Sequence, residues 1–225
     1  ALELRLEQQE LMSAMSQLFM STESTASLIR QALEMAGKFL RVDKLMVTTH
    51  EPGSPELKIA HEWYLDGRPK DMPESRTIPF TPGTSEYDSM LTRHEPYVAY
   101  EDISLVSGHE LALSHGVKSY IAAPLFLEDT FHGMLSVSQL NETRAWSESE
   151  IQLVKLIANL ISSAMARNIM EKHLHRMSSI ADASPQYISY INKSGQFEYF
   201  NQGAVDTLGF SAGELNGQGL SLILG

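Results

Sequence analysis

Cysteine is absent from all 225 residues. That absence excludes disulfides, thiolate metal sites, cysteine nucleophiles and thioether attachment of a chromophore or c-type haem. Basic residues are in the minority, 17 Lys and Arg against 28 Asp and Glu, and no local basic cluster overrides the formal charge of -11. Such a field repels a phosphate backbone, so no nucleic-acid partner is expected. Long apolar runs are lacking too: Tyr120 to Leu127 and the Leu156 to Ala166 region fall well short of the roughly 20 residues that cross a bilayer. The N-terminus has no basic stretch followed by an apolar segment, and the fragment is expected to be cytoplasmic. Gly-rich phosphate loops and His-Glu-x-x-His pairs are also missing, no Gly-x-Ser-x-Gly elbow is expected, and no enzyme activity is expected of the fragment itself.

What is present is patterned. Residues 2 to 18 place Leu4, Leu11, Met15 and Leu18 on one helical face among Glu and Gln, a stripe that needs a partner. A second helix follows the Ser21, Thr22, Ser24 cluster, with Leu28, Ile29, Ala32, Leu33, Ala36 and Phe39 along one side, and should pack on a sheet. Asp43 to His50 and the alternating Leu57 to Leu65 flank the turn cluster Glu51-Pro-Gly-Ser-Pro55 and read as a hairpin. Strict alternation puts Leu57, Ile59, His61, Trp63 and Leu65 on one face. Tyr120 to Leu127 and Phe131 to Leu140 form a second strand pair around Glu128-Asp129-Thr130.

Proline and glycine are missing from residue 147 to residue 184. Ser147-Glu-Ser-Glu150 resembles a capping sequence that opens a long helix there. Leu153, Ile157, Leu160, Ile161, Ala164 and Met165 keep the helical period, and Met170, Leu174 and Met177 continue it. A helix of this length exceeds the usual 11 to 12 residues, so part of it is expected to pair with another helix in a dimer. The seam residues are Leu4, Leu11, Met15, Leu18, Ile157, Ile161, Ala164, Met170, Leu174 and Met177; the alternative is that the stripe only covers its own sheet.

From Phe19 to Ala166 the chain resembles the GAF family of small-molecule sensor domains. The resemblance is carried by Gly83, Thr92-Arg-His-Glu-Pro-Tyr-Val98, Asp102, Gly116-Val-Lys-Ser-Tyr120, Ala123-Pro-Leu125, His132-Gly-Met-Leu135 and Trp146-Ser-Glu-Ser-Glu150. It implies an α+β fold: a central antiparallel sheet with helices on one face and a ligand cavity on the other, under short helices and loops. From Ser184 onward, Ser184-Pro-Gln-Tyr-Ile-Ser-Tyr-Ile191, Gly195, Phe197-Glu-Tyr-Phe-Asn201, Ala204, Leu208-Gly-Phe210 and Glu214-Leu-Asn-Gly217 look like the start of a PAS domain, incomplete in the residues that remain. The expected organisation is a signalling helix (1–18), a GAF sensor domain (19–166), a linker helix (167–183) and a partial PAS domain (184–225). A lone two-stranded hairpin is marginal in water, so the PAS portion is expected to order by pairing with another chain or by packing on the linker helix.

The resemblance implies a cavity whose aromatic candidates are Trp63, Phe80, Tyr87, Tyr97, Tyr100 and Tyr120; each could instead fill core. Cyclic-nucleotide-binding members carry an Asn-Lys pair, then Phe and Asp-Glu. Here Asn141 is followed by Glu142, then Trp146 and Glu150, and the inverted charge at Glu142 argues against that ligand. His109 and His115 fall where some members hold haem, while His173 and His175 face different directions on one helix and cannot share a metal. No metal and no resident cofactor are expected. The functional expectation is a homodimeric sensor that binds a small ligand and relays the change through its long helix to PAS and output domains, the latter a histidine kinase or a diguanylate cyclase. The alternatives are a structural dimerisation spacer without ligand and a partner-protein surface on the acidic domain.

Overall fold

The computed structural model describes residues 2–67, 76–80, 97–105, 110–211, 214 and 218–219. The chain divides into two units, residues 1–166 and 167–225. In the first, helices α1 (Leu2–Phe19) and α2 (Thr25–Leu40) precede the hairpin β1 (Lys44–His50) and β2 (Glu56–Tyr64). Short strands β3 (Thr77–Pro79) and β4 (Val98–Tyr100), a 3-10 turn at Ile103–Leu105 and a short helix α3 (Glu110–Ser114) follow, then the hairpin β5 (Ser119–Leu127) and β6 (Thr130–Gln139). Helix α4 (Glu148–Ala183) leaves this unit and enters the second.

The six strands form one antiparallel sheet in the order β3-β2-β1-β6-β5-β4. Both hairpins are those expected from the turn residues. Pro124 is tolerated inside β5 because β4 reaches only as far as Ala122, so Pro124 lies past its neighbour's end. Gly133 is required where β6 meets β1: its φ is +143°, and a Cβ there would stand 1.9 Å from the Thr48 carbonyl oxygen.

Helices α1, α2 and the first half of α4 cover one face. Ser24 caps α2, its Oγ accepting from the Ser27 N–H at 3.3 Å. Leu28, Ile29, Ala32, Leu33, Ala36 and Leu40 then point at Leu45, Val47, Ile121, Ala123, Leu125, Leu135 and Val137 of the sheet. Truncating one of these enclosed leucines or isoleucines to alanine costs about 2–5 kcal/mol. Helix α4 opens with the expected reciprocal cap: Glu150 accepts from the Ser147 N–H at 2.8 Å and its own N–H donates to Ser147 Oγ at 3.3 Å. Burial works to raise the Glu150 pKa, but the Ser147 hydrogen bonds and the Arg144 guanidinium outweigh it and hold this carboxyl below its ordinary range. Arg144 also lies 5.0 Å over the Trp146 ring, which fixes the approach to the helix.

The seam expectation needs correction in this unit. Met15, Ile157 and Ile161 are fully buried and Ala164 nearly so, all within the chain's own core, while Leu11 and Leu18 pack partly against it. The sheet uses the apolar stripe of α4 as far as Ala164, and these side chains are not available to a second copy. The side chain of Leu4 lies outside the described residues.

In the second unit α4 continues with Met170, Leu174 and Met177 exposed, followed by β7 (Ser189–Ile191), β8 (Phe197–Phe200) and α5 (Gln202–Leu208). Strands β7 and β8 pair antiparallel. The fully buried Asn201 ties this unit together. Its Oδ1 accepts from the N–H groups of Ile188 and Ala204, both at 2.9 Å. Its Nδ2 donates to the carbonyls of Ala181 (2.8 Å), Ser184 (3.2 Å) and Gln186 (2.8 Å). The strand pair is thereby fastened to the end of the helix, and Tyr199 donates to Asp182 at 3.2 Å beside it.

Candidate functional site

The two faces of the sheet differ in chemistry. On β1, β5 and β6 the helix face is aliphatic, with Leu45, Val47, Ile121, Ala123, Leu125, Leu135 and Val137. The opposite face carries Lys44, Met46, Thr48 and His50 of β1, Met134, Ser136 and Ser138 of β6, Tyr120 and Ala122 of β5, and Val98 and Tyr100 of β4. Its apolar members gather in a separate cluster with Leu57, Phe80, Ile103, Val117 and Phe131.

A β-bulge decides what β2 contributes. Val47 opposes His61 but Thr48 opposes Ile59, so Ala60 is the extra residue and the alternation inverts there. Leu57 and Ile59 therefore stand on the far face, His61 and Trp63 on the helix face, and Glu62 and Tyr64 return to the far face opposite Met46 and Lys44. Unbroken alternation would have put Leu57 and Trp63 together; the bulge separates them.

Aromatic rings occupy two parts of the far face. His50 lies 4.6 Å from Phe80 and 5.6 Å from Phe131, and Phe80 stacks on Phe131 at 5.5 Å with an interplanar angle of 11°. Tyr100 and Tyr120 meet at 5.4 Å. Charges lie nearby: Glu62 accepts from Arg76 at 2.7 Å and from the Tyr64 hydroxyl at 2.9 Å, and lies 3.5 Å from Lys44 Nζ. The Lys44 and Glu62 side chains are only 7% and 8% exposed. Removing two charges from water costs several kcal/mol per ion, so a buried pair is weak evidence for stability and calls for another role. At the centre of the sheet stand Ser136 and Ser138, 8% and 6% exposed, beside the small Ala122. Among the described residues neither hydroxyl has a hydrogen-bond partner, and neither oxygen is sealed from solvent.

Of the six aromatic candidates, Phe80, Tyr100 and Tyr120 share this face. Trp63 does not: its indole packs on Gly37 of α2, where a Cβ would stand 2.1 Å from the ring. Tyr97 also belongs to the helix side, packed against that core with the Lys155 ammonium 5.6 Å from its ring centre. Tyr87 and His109 lie outside the described residues. Sequence reading missed Lys44, Glu62, His50, Ser136 and Ser138; the polar residues alternating along β1 and β6 were the signal. On the helix face burial, then Arg30 and Arg76, lower the His61 pKa, which keeps that ring neutral at pH 7.

Other candidates are accounted for structurally. Asp43 accepts from the N–H groups of Leu140 (2.7 Å) and Asn141 (3.1 Å), while Glu142 is exposed and the basic residue of this segment is Arg144. His115 Nδ1 contacts the Leu111 carbonyl at 2.6 Å. Among the described residues no group of three or more His, Asp and Glu is placed to hold a metal ion, and no helix is long and apolar enough to cross a membrane. Gly209 to Gly213 spells Gly-x-Ser-x-Gly, which the sequence reading passed over. Ser211 follows a helix instead of a strand, is exposed, and donates to Glu214 at 2.6 Å, so it is not a nucleophile elbow. A cleft of about 550 Å³ runs along the outer edge of β4, lined by Tyr97 to Glu101, Trp146 and Ile151; the buried serines and the ion pair do not border it.

The family profile described as GAF domain matches residues 24–165. A histidine kinase of Methanothrix harundinacea, named methanogenesis regulatory histidine kinase FilI, is 23% identical over 145 residues, which are 63% of this chain and 16% of that protein. The chain thus spans under a fifth of that relative. Among solved structures, the phycocyanobilin-bound GAF domain of a cyanobacterial phytochrome superposes with a TM-score of 0.62 at 18% identity, covering 74% of this chain and 97% of that one. The GAF domain of a phosphoenolpyruvate-protein phosphotransferase from Coxiella burnetii gives 0.60 at 12% identity, covering 75% and 98%. These likenesses concern the fold.

Proposed function

The chain belongs to the GAF domain family, and from that premise we propose that it is the sensory module of a larger signalling protein, binding a small ligand on the far face of its sheet and relaying the change through α4. The observation that carries this reading is the single helix that is core wall from Ile151 to Ala164 and an exposed apolar stripe beyond it. Nothing interrupts the helix between the two, so a shift in the packing of the first half moves the second. Coupling of about 1–3 kcal/mol suffices for signalling.

The stripe is the dimerisation element. Met170, Leu174 and Met177 are spaced four and three apart and are 59%, 61% and 53% exposed, the pattern of a two-stranded coiled-coil seam. Downstream, the hairpin unit is read as the beginning of a PAS domain ordered on the end of the helix. A histidine kinase output fits the Methanothrix relative; a diguanylate cyclase is the other output such modules precede. The absence of cysteine rules out a thioether-linked chromophore of the kind that some proteins of this fold carry.

Leu174→Glu places a charge at the centre of the seam and removes no core contact. Sedimentation equilibrium should show wild-type dimers and a Leu174→Glu dissociation constant raised at least tenfold, with the melting temperature of the first unit unchanged. Dimers of equal strength in both would refute the seam.

A further inference from the structure

A cavity of about 260 Å³ opens at the outer end of β5, between that strand with its turn and the first half of α4. Its described walls include neither the Lys44–Glu62 pair nor the central serines. Ala123 of β5 and Ala158 of α4, each 1% exposed, line it, and two alanines leave room that longer side chains would fill. Drug-sized ligands occupy pockets of about 300–1,000 Å³, so the occupant here is smaller, of amino-acid size. A peptide strand is not that occupant. Pro124 lines the cavity where β5 runs past the end of β4, and proline has no N–H to offer an added strand.

Charges of both signs face this cavity without meeting. The β5–β6 turn contributes Glu128 and Asp129, both exposed, while α4 contributes the half-buried Lys155 and, one turn on, Asn159. The Lys155 ammonium lies 5.6 Å from the Tyr97 ring centre. Among the described residues neither it nor either carboxylate has an ion-pair partner. A space with a cation and an amide on one wall and carboxylates on the other is complementary to a molecule charged oppositely at its two ends. A lone anion would stand near Glu128 and Asp129, and a lone cation near Lys155; like charges brought together in this way select against both.

We propose that this cavity binds a small zwitterion, an apolar amino acid being the simplest of the class. Its carboxylate lies on the Lys155 ammonium and the Asn159 amide, its ammonium toward Glu128 and Asp129, and its side chain over Ala123 and Ala158. Such a ligand ties the β5–β6 turn to α4, and so acts on the helix independently of anything held at the far face.

The test separates the two charges. L-Leucine is titrated against the full chain by ligand-observed NMR beside leucinamide, which lacks the carboxylate, and 4-methylpentanoate, which lacks the ammonium. L-Valine is run in the same way beside its amide and isovalerate. At least one amino acid should bind about fivefold more tightly than either of its analogues. Lys155→Gln should weaken that amino acid about fivefold, the upper range for an exposed ion pair, and leave its amide unchanged. The double variant Glu128→Gln, Asp129→Asn should weaken the amino acid and the amide alike and spare the acid. Equal binding of amino acid and analogues, indifference to both sets of substitutions, or no binding of either amino acid at millimolar concentration would each overturn the proposal. Ser136→Phe, on the far face, should leave the binding unchanged. Binding that Ser136→Phe abolishes and Lys155→Gln does not touch would overturn this site while leaving the sensory reading standing.

Discussion

Gly133→Ala is expected to be the most damaging single-methyl change in the first unit, lowering its unfolding free energy by about 3–5 kcal/mol. Two effects coincide. At φ +143° an L-residue is strained, and the added Cβ meets backbone, the Thr48 carbonyl oxygen at 1.9 Å and its carbon at 2.7 Å. Backbone cannot step aside as a side-chain end would, because Thr48 lies in the central strand β1 and its Oγ1 already accepts from the Met134 N–H at 3.1 Å. The sheet must therefore open at its β1–β6 seam. Gly53→Ala supplies the control: its φ is +82° but nothing lies within 4 Å of the new Cβ, so only strain of about 1 kcal/mol is expected. Urea denaturation of the two variants separates the contributions. A Gly133→Ala loss no greater than that of Gly53→Ala would contradict the described register.

Asn201→Ala should have the second-largest effect, confined to the other unit. Its five side-chain hydrogen bonds hold β7, the start of α5 and the last carbonyls of α4 in one place. Alanine leaves the Ile188 N–H and the Ser184 and Gln186 carbonyls to water or to nothing, at about 1–3 kcal/mol for each group that stays buried, while the Ala181 carbonyl keeps the Ser184 N–H. A unit whose described strands form a single two-stranded sheet has no reserve of that size. Hydrogen exchange of residues 188–208 should rise to near that of an open chain while residues 28–47 and 119–139 keep their protection. Asn201→Asp should be no better, because it returns the acceptor but sets a carboxylate against three carbonyl oxygens. Unchanged protection in the alanine variant would show that the hairpin is ordered by something else.

The elements were legible where local chemistry decides them. Ser147 and Glu150 spelled the start of α4, and the turn cluster from Glu51 to Pro55 marked the first hairpin, because caps and turns depend on a few neighbouring residues. Features that depend on strand pairing were not legible. Nothing in Ile59-Ala-His61 announces a bulge, yet that one extra residue moved Trp63 from the far face to the helix side. The same limit affected the seam: the period of α4 is continuous from Leu153 to Met177, and only the position of the sheet reveals that its first part is consumed as core. The polar centre was overlooked because Lys44, Ser136 and Ser138 lie in strands whose remaining residues advertise burial. Phe80, Tyr100 and Tyr120, which share the far face, stood out because large rings are conspicuous in sequence, whereas small hydroxyls beside an alanine are not.

The proposed function stands most directly on a small molecule being held at the far face of the sheet, and one measurement addresses that: the mass of the freshly purified chain under native and then denaturing conditions. The expected native species is a dimer of the 25.1 kDa chain that carries extra mass released on denaturation. Ser136→Phe, which sets a large ring on the far face opposite Ala122, should keep the dimer and lose the extra mass. A wild-type chain with no more mass than its polypeptide, or extra mass that the Ser136→Phe variant retains, would contradict it.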